Sequence, residues 1–248
     1  MAAQAVRFLL VLTRAAAVFS FLPLPGLRAG PDAARLLFSA ILAVALTPLA
    51  PLPAVPTAGT LVLWEIQELF LGLTVGVALS FLVEATQIAA QMAGLQAGLS
   101  FASTIDPTTQ ADSGVLAMLT QMLSGVLFFS MGLHREIIAI FVRSLRSWPP
   151  GAFFVSPSMA ESIWRLGSTM MTMGVRLAMP VVSLLLIVDV AFAVISRFNA
   201  QLQLLSVAFP AKMLAGIGIF AIALAATPLL YREFAARIVG TLLEMVAR

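Results

Sequence analysis

Apolar residues in this chain gather into long unbroken runs and lack the alternation of half-buried strands. Six runs stand out, at residues 8–24, 36–52, 61–83, 115–133, 170–195 and 213–230. A helix needs roughly 20 apolar residues to cross about 30 Å of hydrocarbon, and each run approaches that length. Continuous hydrophobicity argues against a membrane barrel, the other spanning solution. Turn formers separate the runs. Pro23, Pro25, Gly26, Gly30 and Pro31 break the first two, and Pro48, Pro51, Pro53 and Pro56 end the second. Trp148-Pro149-Pro150-Gly151 closes the segment after the fourth. Ser158 and Glu161 have capping-box spacing, which predicts a helix starting near Met159. It can continue to about Phe198 with a kink at Pro180, a length on the order of 60 Å.

Two segments depart from this pattern. In residues 84–98, Glu84, Gln87, Gln91, Gly94 and Gly98 recur at helical spacing and form one polar, small-residue stripe. Ile88, Met92, Leu95 and Leu99 occupy other faces. Lipid would disfavour such a stripe, whereas a helix contact or a water-filled pore accepts it. The alternative is a surface amphipathic helix. No Lys or Arg occurs between Arg35 and Arg135, and interfacial helices usually carry basic polar faces. Residues 101–114 follow as a polar, hydroxyl-rich loop in which Asp106 before Pro107 favours extended backbone. The second departure is the tail from Arg232. Glu233 with Arg237 and Glu244 with Arg248 are i,i+4 pairs, and Phe234, Ile238 and Leu242 share another face. This predicts an amphipathic interfacial helix.

Composition agrees with a membrane protein. Of 248 residues, 61% are hydrophobic and 10% charged, against about 25% charged in soluble domains. Mean hydropathy is +1.05. The net charge of +3 comes from scattered arginines near run ends, which anchor spans at the interface and do not form a nucleic-acid surface. Counting basic residues on alternate sides of six spans places the C-terminus on the cytoplasmic side. The first run follows Arg7 as a signal peptide would. Arg14 interrupts it and no small-residue cleavage site follows, so a retained first helix is expected.

The sequence has no cysteine and one histidine, His134. Thiolate chemistry is excluded, and His134, where an apolar run meets charge, reads as an interfacial residue with no second histidine for a metal. No phosphate-binding loop occurs, and no cofactor is expected. Glu65, Glu68, Arg176 and Asp189 lie in or beside apolar runs, where charges normally face protein or water. Arg176 and Asp189 lie about 140° apart around a helix and are not expected to pair. Glu65 and Glu68 are one turn apart and do not form a two-carboxylate catalytic pocket. Met118 and Met122 stand at i,i+4 after the polar loop. Flexible thioethers there could seal a channel or simply pack.

Residues 91–102, Gln-Met-Ala-Gly-Leu-Gln-Ala-Gly-Leu-Ser-Phe-Ala, followed by Ile105-Asp106-Pro107, resemble the central motif of the FliR family, flagellar type III export gate subunits. Val115-Leu116, Gly132-Leu133-His134, Asn199-Ala200-Gln201-Leu202-Gln203 and Phe209-Pro210 continue the resemblance along nearly the whole chain. Virulence-secretion relatives usually carry an Asn-Gln-Arg-Gly-like run where this chain has Leu95-Gln96-Ala97-Gly98. The resemblance therefore favours the flagellar branch, with the virulence homologue and a lone small-molecule permease as alternatives.

The resemblance implies an all-α, polytopic fold of kinked helical hairpins packed into a conical assembly. It implies one domain over 1–248, FliP-like to about residue 150 and a FliQ-like hairpin over about 155–248. Implied partners are FliP-type and FliQ-type subunits, FlhB-type and FlhA-type export proteins, the flagellar basal body, membrane lipid and unfolded export substrates. The implied location is the bacterial inner membrane. A central loop would plug the closed channel, carried by Gly98, Phe101, Ile105, Asp106 and Pro107. The implied hairpin turn falls at Phe209-Pro210-Ala211-Lys212, where the extra Ala211 departs from the family pattern around Lys212.

Overall fold

The computed structural model describes residues 2–25, 33–51, 56–99, 115–149, 151–154, 156–198 and 204–247. These residues form α1 (Ala2–Phe19), α2 (Ala33–Leu46), a 3-10 turn (Thr47–Leu49), α3 (Ala58–Ala97), α4 (Val115–Ser130), α5 (Leu133–Ser147), α6 (Pro157–Phe198) and α7 (Leu204–Ala247). No strand occurs among the described residues. The fold is all-α.

The six runs do not become six equal spans. Among the described residues four helices, α1, α3, α6 and α7, are long and apolar enough to cross a membrane. A fifth span arises only if α4 and α5, bent by 67° at Met131-Gly132, count together. The second run yields a helix of 14 residues, because Pro48 turns its end into the 3-10 turn. The third run and the polar stripe fuse into one helix of 40 residues. That helix stops at Gly98, whose φ of 77° suits glycine at no steric cost. Gly98 N–H donates to the Leu95 carbonyl at 3.1 Å and Leu99 N–H to the Gly94 carbonyl at 2.9 Å, the paired bonds of a Schellman end.

The α6 helix keeps its expected length, 42 residues with Pro180 inside, but its cap is different. Ser156 Oγ, not that of Ser158, accepts the Met159 N–H at 3.3 Å, because Pro157 occupies the first helical position that proline favours. Glu161, released from a capping role, pairs with Arg165 at 2.7 Å. The α7 helix holds Pro210 and Pro228 inside it. Pro210, Ala211 and Lys212 therefore lie within a helix, not in a hairpin turn. The tail from Arg232 is also corrected. It continues α7 without a break, and Tyr231, Phe234, Ile238 and Leu242 are buried in the core instead of facing a membrane interface. Glu233 and Arg237 pair at 2.7 Å on its outer side.

α3 is the axis of the packing. α1 runs alongside it in the same direction, and the two backbones meet at Gly72 and Gly76. A β-carbon at Gly72 would sit 2.5 Å from the Ala17 β-carbon and 2.7 Å from the Arg14 carbonyl oxygen. One at Gly76 would sit 2.8 Å from the Ala17 carbonyl oxygen. This is the small-xxx-small solution by which apolar helices gain dispersion contact without a hydrophobic driving force. α6 also runs with α3, Gly167 facing Phe81 and Gly174 facing Ala85 and Ile88. α7 returns antiparallel, with Gly216 against both Ala97 and Leu185. The larger core, around Phe19, Leu79, Leu82, Phe128, Phe141 and Ile238, joins α1, α3, α4, α5 and α7. A smaller one, of Ala90, Ala93, Ala97, Val181, Leu185 and Phe220, fills the other end.

Candidate functional site

The chemistry of this molecule lies in two ionic nodes and in the apolar faces between them. The first node is Arg14 with Glu68, both fully buried. Arg14 Nη2 donates to Glu68 Oε1 at 2.9 Å, and Nε donates to Oε2. This forked geometry suits a guanidinium and a carboxylate. Nη2 also donates to the Trp148 carbonyl at 3.0 Å, and Nη1 to Ser144 Oγ at 3.2 Å. The Gly151 N–H completes the carboxylate, donating to Oε1 at 3.0 Å. Gly151 has φ of 83°, and a β-carbon there would collide with the Trp64 ring at 2.5 Å. Only glycine therefore lets this turn reach Glu68. The node ties α1, α3, α5 and the turn after α5 into one body. Its carboxylate is saturated with donors, so it is a clamp and not a reacting group. Glu65, one turn earlier, is half-buried with Oε1 lacking a hydrogen-bond partner among the described residues.

The second node stands at the other end, beside the terminus of α3. Lys212 Nζ lies 2.8 Å from both oxygens of Asp189, and Gln96 Nε2 donates to Asp189 Oδ2 at 3.0 Å. Three helices, α3, α6 and α7, meet there two residues before Gly98. The Asp189 side chain is 41% exposed and that of Lys212 21%, so the pair opens toward whatever surrounds the chain. Arg176 is exposed on α6 and makes no ion pair among the described residues.

The polar stripe has split fates. Gly94 is buried and Gln87 is half-buried, its Nε2 donating to the Ala117 carbonyl at 3.2 Å. Glu84 and Gln91 are exposed. The face of α3 that packs inside the chain lies beside the stripe and consists of Ala85, Thr86, Ala89, Ala90 and Ala93. Met118 and Met122 are exposed on α4 among the described residues. His134 packs its ring against Phe129 at 5.3 Å. Among the described residues no group of His, Cys, Asp or Glu could hold a metal. Gly98 closes α3; Phe101, Ile105, Asp106 and Pro107 lie outside the described residues.

The long helices leave many apolar residues exposed. Only 17% of the apolar windows of α6 and α7 is buried within the chain, against 56% for α3. Exposed apolar residues run from Trp164 to Ile195 on α6, while on α3 they cluster at Val62, Leu63, Ile66, Leu69 and Phe70, with Leu95 apart from them. At the helical rise the α6 stretch is roughly 47 Å long. A bilayer core of about 30 Å covers it only at a tilt of about 50° or more, beyond the usual 0–40°.

Arg14 and the glycine pair are the features that sequence reasoning missed. Arg14 registered only as an interruption of the first run. Its signal was an opposite charge, Glu68, stranded in another run. Gly72-Leu73-Thr74-Val75-Gly76 is itself a G-x-x-x-G pattern.

Comparison with known proteins gives these features a context. Residues 5–238 match the family described as bacterial export proteins, family 1. Flagellar biosynthetic protein FliR of Escherichia coli (strain K12) is 29% identical over 211 residues, 85% of this chain and 81% of that protein. FliR of Caulobacter vibrioides is 28% identical over 230 residues, 90% of each. Yop proteins translocation protein T of Yersinia pestis is 26% identical over 155 residues, 62% of this chain and 59% of that protein.

Proposed function

This chain belongs to the bacterial export proteins, family 1, and on that premise we propose that it builds the wall of a flagellar protein-export channel in the bacterial inner membrane. It is a multi-pass membrane subunit of a flagellar or type III export apparatus and not an enzyme. The finer reading is a pore-forming role at the basal body, through which unfolded flagellar proteins pass. Its neighbours would be FliP-type and FliQ-type subunits, with FlhB-type and FlhA-type proteins beside them. The chain would act as one unit, FliP-like to about residue 150 and FliQ-like over about 155–248.

One observation carries this reading. Exposed apolar residues extend over roughly 47 Å of α6, more than hydrocarbon covers at the usual tilt. Such a chain needs long helical neighbours, as a channel wall has and a lone permease does not. Two side chains support it. Met118 and Met122 are exposed directly after the 100–114 segment, where adaptable thioethers can meet a partner or a passing chain.

Gentle detergent extraction from the native host tests the assembly. Two other small membrane subunits should copurify with this chain; a stable, active monomer would overturn the reading. Deleting residues 103–112 tests the plug, in which Gly98, Phe101, Ile105, Asp106 and Pro107 take part. The resting membrane should become leaky to small ions. An unchanged leak with the assembly intact would remove the plug role and leave the wall role standing.

A further inference from the structure

We propose that Arg143 and Arg146 form a headgroup site for an anionic phospholipid, at the end of the molecule where α5 and α7 finish. An open cleft of about 180 Å³ lies there, lined by Arg143, Arg146, Ser147, Leu243, Val246 and Ala247. Its two walls differ in kind. The α5 wall supplies two guanidinium groups and a hydroxyl. The α7 wall is wholly apolar. Neither arginine has a hydrogen-bond or ion-pair partner among the described residues, and both are exposed. No acid lines the cleft. Glu244, the nearest carboxylate in sequence on α7, faces a different cleft with Trp148 and Ser156. A lone positive pair beside an apolar wall fits a molecule with an anionic head and a hydrocarbon tail.

The surroundings point to the same occupant. α5 bends 67° away from α4, burying Ile137, Ile140, Phe141 and Leu145 and turning Arg135, Glu136, Arg143 and Arg146 outward. The apolar face of α5 is thus taken up by the chain's own core, and its outer face presents the basic residues. The same end also carries Arg165, in the third turn of α6, where it is paired with Glu161. Basic pockets between membrane helices on the cytoplasmic side commonly hold anionic headgroups. A soluble anion would gain from the arginines but not from Leu243 and Val246. An acidic partner segment would likewise gain from the arginines but not from the apolar α7 wall.

Native mass spectrometry of the extracted assembly tests the site, with phosphatidylglycerol or phosphatidylcholine added at equal amounts. The unmodified protein should retain phosphatidylglycerol in preference to phosphatidylcholine. The double change Arg143→Gln with Arg146→Gln should weaken that retention roughly thirtyfold, as expected for two arginines near a charged surface. Arg143→Lys with Arg146→Lys should keep most of it, and Arg135→Gln, at the far end of α5, should not change it. Equal retention of both lipids by the unmodified protein would overturn the proposal. So would undiminished phosphatidylglycerol retention in the Gln variant. A photocrosslinker at Ser147 should label lipid; labelling of a partner subunit instead would assign the cleft to protein. The lipid preference and the crosslink need no arginine variant to fold.

Discussion

Arg14 shows how one residue can look wrong in the sequence and be necessary in the fold. A guanidinium in an apolar run costs several kcal/mol to desolvate, and the chain meets that cost with Glu68, Ser144, the Trp148 carbonyl and the Gly151 turn. Arg14→Met should leave Glu68 buried and unpaired and cost about 3–5 kcal/mol. The double variant Arg14→Met with Glu68→Leu should recover most of that loss. Thermal unfolding in detergent of the two single variants and the double variant measures the coupling directly. If the double variant were as unstable as the singles, the node would matter through Ser144 and the turn, not through charge. The half-exposed Asp189–Lys212 pair should behave differently. Lys212→Met should cost no more than about 1 kcal/mol, since solvent or partner groups screen a pair of this exposure.

At the scale of elements, much was legible and the failures have physical causes. Long apolar runs located the long helices because burial of backbone polar groups in lipid leaves helices as the economical solution. The length of α6 and its internal Pro180 were readable from the same pattern. The break expected near Pro210 was not found, because two prolines are tolerated inside α7 where neighbouring helices hold its backbone. The tail from Arg232 looked interfacial because amphipathicity does not say what covers the apolar face. In the fold it is the core around Phe128 and Ile137. Close packing of α1 on α3 was missed because it depends on absent side chains. Gly72→Val tests it: the added atoms must push α1 from α3 by far more than a rotamer can absorb. A loss of about 1–3 kcal/mol is expected. The matching change Gly59→Val, where nothing lies within 4 Å of the new β-carbon, should leave packing unaffected.

For the whole molecule, the sequence indicated membrane residence through composition, while the surface indicates company. An isolated copy exposes Ile187 and Leu186 on α6 and Ile222 on α7. Cysteines introduced at Ile187 and Ile222 should react with a membrane-soluble maleimide in the isolated chain and be protected in the intact assembly. Equal labelling in both states would assign those faces to lipid. The candidate site was only partly readable at this scale. Asp189 and Lys212 could be flagged as stranded charges, but their union required α6 and α7 to fold back on each other, a relation that no local pattern encodes.

The Arg14–Glu68 node also has a consequence for biogenesis. Each ion alone, presented to hydrocarbon by an emerging helix, costs about 2.5–3.5 kcal/mol even on insertion scales. Synthesis releases Arg14 first, and Glu68 follows 54 residues later. The remaining ligands, at Ser144, Trp148 and Gly151, come only after α4 and α5. Until Glu68 is made Arg14 has no opposite charge to pair with in the node, and the node is complete only when residue 151 has left the ribosome. A chain truncated before that residue would lack the Gly151 donor to Glu68 and hold a half-made lock.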